Sequence, residues 1–481
     1  MKRHWSDISQ AAAALAALTL SACQTPAPPP IADHLEPGLQ GQTIPADLAV
    51  GILPTPYSKG VRVIGHSQVW NRASNVQLTW IDHCAYLSSS AVDIAGIAHS
   101  DAATAGVAVI DVSNPAAPRQ VRLLRDKGAY NSSETIHGVD APDRRVLAAG
   151  DYGGGLATSP PGEAPTLDIY DASDCANPRL TAEFTWPENV HTVTVSPNGR
   201  RVYGTHIDPF TGHGGIHVLD ISDMAHPRYL GKFGATAADG RTWEFATHEI
   251  SISPDERRIY AGVLGSRGGD LNAQFTSHDG DAAAERVGRD AGGIYILDNS
   301  DIAEGRPDPR MRLLGTAQHV GWHSVMRANI NGAPYLVAAG ELGPCPGTWP
   351  HVVSIADEHH PVDVGQFQLA MNHIENCPPR EGIEVQSRGF FSRPGTAAIH
   401  FNDVDNAERT RLGLFNFMYA GLRIADLRDP ANPVELGYFK PGDPCGGHVR
   451  YLPRSHQIWL ACAASGFYVL ELGPSLRAVE R

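Results

Sequence analysis

Six histidines recur in similar local settings: His137 in TIHGVDA, His191 in NVHTVTV, His248 in ATHEISI, His323 in GWHSVMR, His400 in AIHFNDV and His448 in GGHVRYL. A degenerate copy reads NVQLTWI, with Gln77 in the histidine slot. Neutral imidazole is the commonest protein metal ligand. Three or four imidazoles can bind one copper, iron or zinc ion and leave a position open for substrate. The six therefore form a pool of candidate metal ligands, from which one ion takes a subset. The competing reading is architectural. His191, Val193 and Val195 share one strand parity, as do His248, Ile250 and Ile252, and that parity is the apolar, packed one. A histidine at its end can simply cap the core. Gln77 fits either reading.

Other polar groups lie close by in sequence. Glu134, Glu244 and Glu249 stand near the starts of the histidine strands, where a carboxylate can orient an imidazole or act as a base. His206, Glu341 and Asn416 fall at or after the ends of the following strands, and Trp243, Trp322 and Trp349 offer stacking surfaces. The stretch 264–292 is rich in Gly and Asp but lacks EF-hand spacing. No G-x-S-x-G elbow, P-loop or H-E-x-x-H is present, so serine hydrolase, nucleotide and zincin chemistry have no local support.

The elements that must position these residues form a repeat. GVAVIDVSNPAAP begins at Gly106, TLDIYDASDCANP at Thr166, GIHVLDISDMAHP at Gly215, GIYILDNSD at Gly293 and GLRIADLRDPANP at Gly421. HVVSIADEHHP from His351 and GFYVLEL from Gly466 are weaker copies. Each alternates at period two, reaches an acidic residue in most copies, and then turns, usually at an Asx-Pro. Asp111, Asp220, Asp298 and Asp426 are read as fixing that turn. A unit is thus strand A from the histidine slot, a short turn, strand B, strand C (the recurrent phrase) and strand D after the proline. Four strands in about fifty residues is the arithmetic of a propeller blade. The slots at 77, 137, 191, 248, 323, 400 and 448 predict seven blades. The last copy stops after strand C, and VRVIGHSQV from Val61 reads as its missing strand D. The predicted fold is therefore all-β, a seven-bladed propeller of four-stranded blades closed by an N-terminal strand, which removes an open sheet edge. Long connections fall between B and C and between D and A, on one face with the histidines, where function usually lies.

The recurrent phrase resembles the LVIVD repeat, a family of bacterial secreted and surface propellers, over nearly the whole chain after the N-terminal segment. In plan, with axial histidines on seven blades, the chain is also similar to the selenium-binding protein and methanethiol oxidase family. That likeness implies a metal-dependent oxidation of a small molecule, with copper as the family's metal. WD-repeat propellers, which carry a recurrent histidine bonded within each blade, support the opposite reading. The alternative function is a non-enzymatic module that binds a protein or glycan at the cell envelope.

The N-terminus reads as an address. Lys2 and Arg3 precede an apolar run, Ala11–Leu20, too short to span a bilayer and suited to a secretory signal. Leu20-Ser21-Ala22-Cys23 resembles a bacterial lipobox. That resemblance implies a signal at 1–22, a lipid on Cys23, a Pro-rich tether over 23–60 and a propeller over 61–481. The expected location is the bacterial envelope, facing periplasm or surface. Gln24 lacks the aspartate that marks inner-membrane retention in enteric lipoproteins, which favours the outer membrane. Cys445 and Cys462 flank one predicted hairpin and form the best disulfide candidate; Cys345 and Cys377 sit in long loops they could staple. A net charge of −14 without basic clusters excludes nucleic acid as an expected partner. The expected partners are a membrane through the lipid and a small molecule, protein or glycan at the loop face. The chain itself is expected to be monomeric.

Overall fold

The computed structural model describes residues 33–36, 56–91, 99–152, 165–207, 214–266, 291–318, 323–340, 348–376, 399–418, 420–441 and 445–480. Seven sheets form the blades, antiparallel throughout except where the two-residue strand Ala235–Thr236 runs parallel to Met311–Gln318 at the outer edge of blade 4. Their innermost strands are Leu78–Ile81, Ile136–Ala141, Val193–Val195, Phe245–Ile252, Ser324–Ile330, Ile399–Val404 and Val449–Leu452. Each touches the next, and the last returns to the first, so the strands enclose one axis. The ring closes as the sequence predicts: Val61–Ser67 pairs antiparallel with Gly466–Leu472 as the outer strand of blade 7. Two short pieces of the segment read as a tether also lie on the propeller. Tyr57–Lys59 adds a fifth strand to blade 6, against Val434–Lys440. Ahead of it, Glu36 makes a bidentate pair with the buried Arg423, at 2.9 Å to each guanidinium nitrogen.

The period-two phrase folds this way because both faces of each sheet are buried. In blade 1, Val107 and Val109 pack toward blade 2 with Ile136 and Leu147. Their neighbours Ala108 and Ile110 pack toward blade 7 with Trp459 and Phe467. The same division repeats around the ring, so the core is a series of apolar layers between adjacent sheets. Glycine opens most copies of the phrase for a steric reason. Gly106, Gly215, Gly293 and Gly421 have positive φ, and a Cβ at Gly106 would sit 2.3 Å from the Leu124 carbonyl oxygen of strand D. The recurrent aspartates do what their spacing predicts. Oδ1 of Asp111, Asp220, Asp298 and Asp426 each accepts the N–H two residues on, at 2.9, 2.9, 3.0 and 3.0 Å.

Two disulfides join described residues. Cys445 and Cys462 are bonded within blade 7, with Cα atoms 4.1 Å apart. Cys84 and Cys175 tie blade 1 to the turn after strand C of blade 2, a pairing the sequence did not single out. Cys23, Cys345 and Cys377 lie outside the described residues.

Candidate metal centre

The strand ladders decide which residues occupy equivalent places at the axis. In blade 3 the Thr205 carbonyl accepts from His191 N–H at 2.7 Å, while Thr205 N–H donates to the Thr192 carbonyl at 2.9 Å. Two residues therefore oppose one, which is a β-bulge. Blade 4 repeats it: the register slips between Thr247 and Ile250, leaving His248 and Glu249 opposite Gly262. Blade 6 slips between Ile399 and Phe401, at His400. In blade 5, His323 N–H and Ser324 both meet Ala339. A bulge breaks side-chain alternation, so His191 and His248 leave the apolar parity that the sequence assigns them, and with His323 and His400 they turn to the axis.

Blade 2 departs from the motif alignment. Gly150 N–H donates to Thr135 at 2.7 Å, which puts Thr135 where blade 3 has Thr192. The residue in the histidine place is then Glu134, and His137 stands three positions later. His448 and Gln77 also fall later, since their own carbonyls accept from Ala461 and Ser88. These three later residues reach the next blade's backbone. His137 Nδ1 accepts from Val195 N–H at 3.2 Å, His448 Nδ1 from Leu78 N–H at 3.5 Å, and Gln77 Oε1 from Ile136 N–H at 2.8 Å.

The residues in the bulge place converge. Glu134 Oε2 lies 3.5 Å from His191 Nε2 and 3.6 Å from His248 Nε2, and Oε1 lies 3.3 Å from His400 Nε2. The His191 and His248 Nε2 atoms are 2.7 Å apart. His323 lies beside His248, the two rings tilted by 42° with centroids 3.9 Å apart. Ligand atoms of Glu134, His248 and His323 fall within 4.8 Å of one another. All five residues are buried. Burial alone would raise the Glu134 carboxyl, but the bonds from His191 and His400 and the nearby His400 and His248 outweigh it and hold it well below the usual range. His400 Nδ1 donates to the Gly446 carbonyl at 2.5 Å, so Nε2 is the nitrogen that faces the cluster: protonated it donates to Glu134, and once an ion displaces that proton it is free to act as a ligand. His137 and His448 accept at Nδ1, so their neutral rings carry the proton on Nε2 and present a donor, not a ligand. Burial pushes His137 down to about 3 and His448 well below its ordinary value, with the Arg450 charge adding to both.

Further along the channel, Arg450 Nε donates to the Leu78 carbonyl at 3.1 Å. Glu249 is pushed up to about 7 by burial, against the Arg450 charge, and Asp403 is raised for the same reason. Glu134 was legible as a carboxylate near a strand start; its exchange with the blade 2 histidine was not. Among the other polar residues, Glu244 pairs with Lys232, Asn416 donates to the Gly447 carbonyl, and Trp349 Nε1 donates to Gln366. Trp243 packs in the layer between blades 3 and 4. Glu341, Trp322 and residues 267–290 of the Gly/Asp-rich stretch lie outside the described residues.

Residues 102–122 match the LVIVD repeat family, and the match spans the phrase that begins at Gly106. No curated protein matches the sequence. Among solved structures, the hydrazine synthase of Kuenenia stuttgartiensis is similar at 11% identity and TM-score 0.49, over 83% of this chain and 95% of that one. A periplasmic gluconolactonase of Pseudomonas aeruginosa is similar at 12% identity and TM-score 0.48, over 81% of this chain and 96% of that one. A β-propeller domain from Myceliophteria thermophila gives 10% identity and TM-score 0.46, over 83% and 96%. The chain is a seven-bladed, all-β propeller that carries the LVIVD repeat.

Proposed function

We propose that the axial cluster holds one transition-metal ion and that the protein is a metal-dependent oxidoreductase acting on a small molecule. The observation that carries this reading is the meeting of three imidazole Nε2 atoms, from blades 3, 4 and 6, on one buried carboxylate from blade 2. Glu134, His191, His248 and His400 are the proposed ligands, with His323 beside them. A mixed imidazole and carboxylate set suits iron or zinc at least as well as copper. Iron or copper held there would supply the electron-transfer chemistry of an oxidation, which zinc would not. The chain's own residues fix the donors: the Gly446 carbonyl orients His400, and the bulges aim the other rings. Arg450 gives the channel a fixed positive charge, which favours a small anionic substrate. The proposed setting is the bacterial envelope, with the chain exported and anchored through a lipid on Cys23. The two disulfides accord with an oxidising compartment.

The test is metal content by plasma mass spectrometry on untagged protein starting after Cys23, compared with a His191→Ala/His400→Ala variant. Near-stoichiometric iron, copper or zinc that falls in the variant supports the centre. Folded protein that stays metal-free after incubation with each ion overturns it. A specific observation favours the architectural reading for part of the set: His137 and His448 are bonded to backbone of the next blade. If no metal binds, the loop face is the surface to test for an envelope protein or glycan.

A further inference from the structure

A second group of ligand-type side chains lies away from the axis, on blade 3. His206 is the next-to-last residue of strand B, Arg201–Ile207, and His217 lies on strand C, Gly214–Asp220. His206 pairs with Gly215 and His217 with Gly204. The two rings thus share one face of the sheet on adjacent strands, each opposite a residue without a side chain. They stack with centroids 5.9 Å apart. Glu188 reaches them from the connection between blades 2 and 3, anchored by the buried Trp186. Its Oε2 is 2.8 Å from His206 Nδ1. One ligand atom from each of Glu188, His206 and His217 lies within 4.8 Å of the others.

His217 supplies the independent sign of a ligand. The residue is fully buried, and its Nε2 has no hydrogen-bond partner among the described residues. An unpaired buried polar atom is costly and calls for an explanation. Its Nδ1 lies 2.8 Å from the Tyr229 hydroxyl. With Nδ1 donating there, Nε2 keeps a lone pair, the arrangement that second partners impose on metal-bound histidines. Charge also suits a cation. Lys232 Nζ contacts Glu188 at 2.8 Å and Glu244 at 3.3 Å, so one ammonium is shared by two carboxylates. Glu244 keeps Lys232 in place when Glu188 turns to an ion.

We propose that Glu188, His206 and His217 form a second metal site, off the axis, which binds a divalent ion such as Zn²⁺ through two imidazoles and one carboxylate. Two imidazoles and a carboxylate are a recognised zinc ligand set that leaves a coordination position open.

The experiment is Zn²⁺ titration by calorimetry of chelator-stripped protein, with thermal unfolding of each variant as a folding check. Wild type, Glu188→Gln, His217→Ala and Glu134→Gln are compared. Glu188 is half-exposed, so its variant keeps the fold even if His217→Ala does not. The expected result is loss of one Zn²⁺ equivalent in Glu188→Gln and its retention in Glu134→Gln. Tyr229→Phe is expected to weaken that same equivalent by about tenfold. Unchanged stoichiometry and affinity in folded Glu188→Gln overturns the proposal. An equivalent lost in Glu188→Gln but no other in Glu134→Gln supports this site while counting against the axial one.

Discussion

His400 faces two ways at once: Nε2 stands 3.3 Å from Glu134 Oε1 while Nδ1 donates to the Gly446 carbonyl at 2.5 Å. The backbone bond keeps a proton on Nδ1 and fixes the ring, so that Nε2 faces the carboxylate brought from four blades away in the chain. His137 and His448 show the reverse pattern, with Nδ1 accepting a backbone N–H.

That contrast separates six look-alike histidines by experiment. Glu134→Gln and His400→Ala are expected to lose the axial metal. His137→Ala and His448→Ala are expected to retain it but to lose about 1–3 kcal/mol of stability, because each leaves a backbone N–H unpaired. Metal content and chemical denaturation on the four variants check this. Equal metal loss in all four would sink the division.

Asp168 should make stability fall as pH rises from about 4 to about 7. Its carboxyl is pushed up to about 7 by burial, which the Ala129 N–H bond opposes and the charges of Asp126 and Glu183 reinforce. In the unfolded chain the group titrates near about 3.9. Below that value both states are protonated. Between the two values the native state holds the extra proton, so raising pH costs stability, up to ~4 kcal/mol, and above about 7 the loss is complete. Denaturation midpoints from pH 4 to 8 should show a slope that flattens in Asp168→Asn.

Glycine at the start of the repeat phrase should be irreplaceable for steric reasons. Gly106→Ala drives a Cβ to 2.3 Å from the Leu124 carbonyl oxygen, whereas Gly332→Ala, also at positive φ, meets nothing within 4 Å. Gly332→Ala is expected to cost about 1 kcal/mol of backbone strain, and Gly106→Ala at least ~2 kcal/mol more. Thermal unfolding of the pair reads the difference.

The N-terminal strap is expected to matter for stability. Arg423 is fully buried and stacks its guanidinium 4.8 Å from the Tyr438 ring centroid. Among the described residues, Glu36→Gln leaves only Glu435, at 3.4 Å, to balance that charge. A loss of about 3 kcal/mol is expected, as for one partner of a buried ion pair. A midpoint unchanged in urea would show that the strap contributes nothing.

The fold was largely written in the local chain. Alternation in VAVID, HVLD and YILD marks strands buried on both faces, the Asx turns punctuate them, and the orphan strand at Val61 reports the closure. These signals are legible because period, turn chemistry and glycine sterics act between near neighbours. The site was only partly so. Spacing placed His191, His248, His323 and His400 at strand starts, yet alternation assigned His191 and His248 to the apolar face. One extra residue opposite Thr205, and another opposite Gly262, turn them to the axis instead. Spacing likewise aligned His137 with the others, while the bond from Gly150 to Thr135 puts Glu134 in that place. A bulge depends on which partner residue a strand pairs with, and convergence depends on ring closure. Both are set by contacts between distant segments, so tertiary structure alone decides which of the candidate side chains meet.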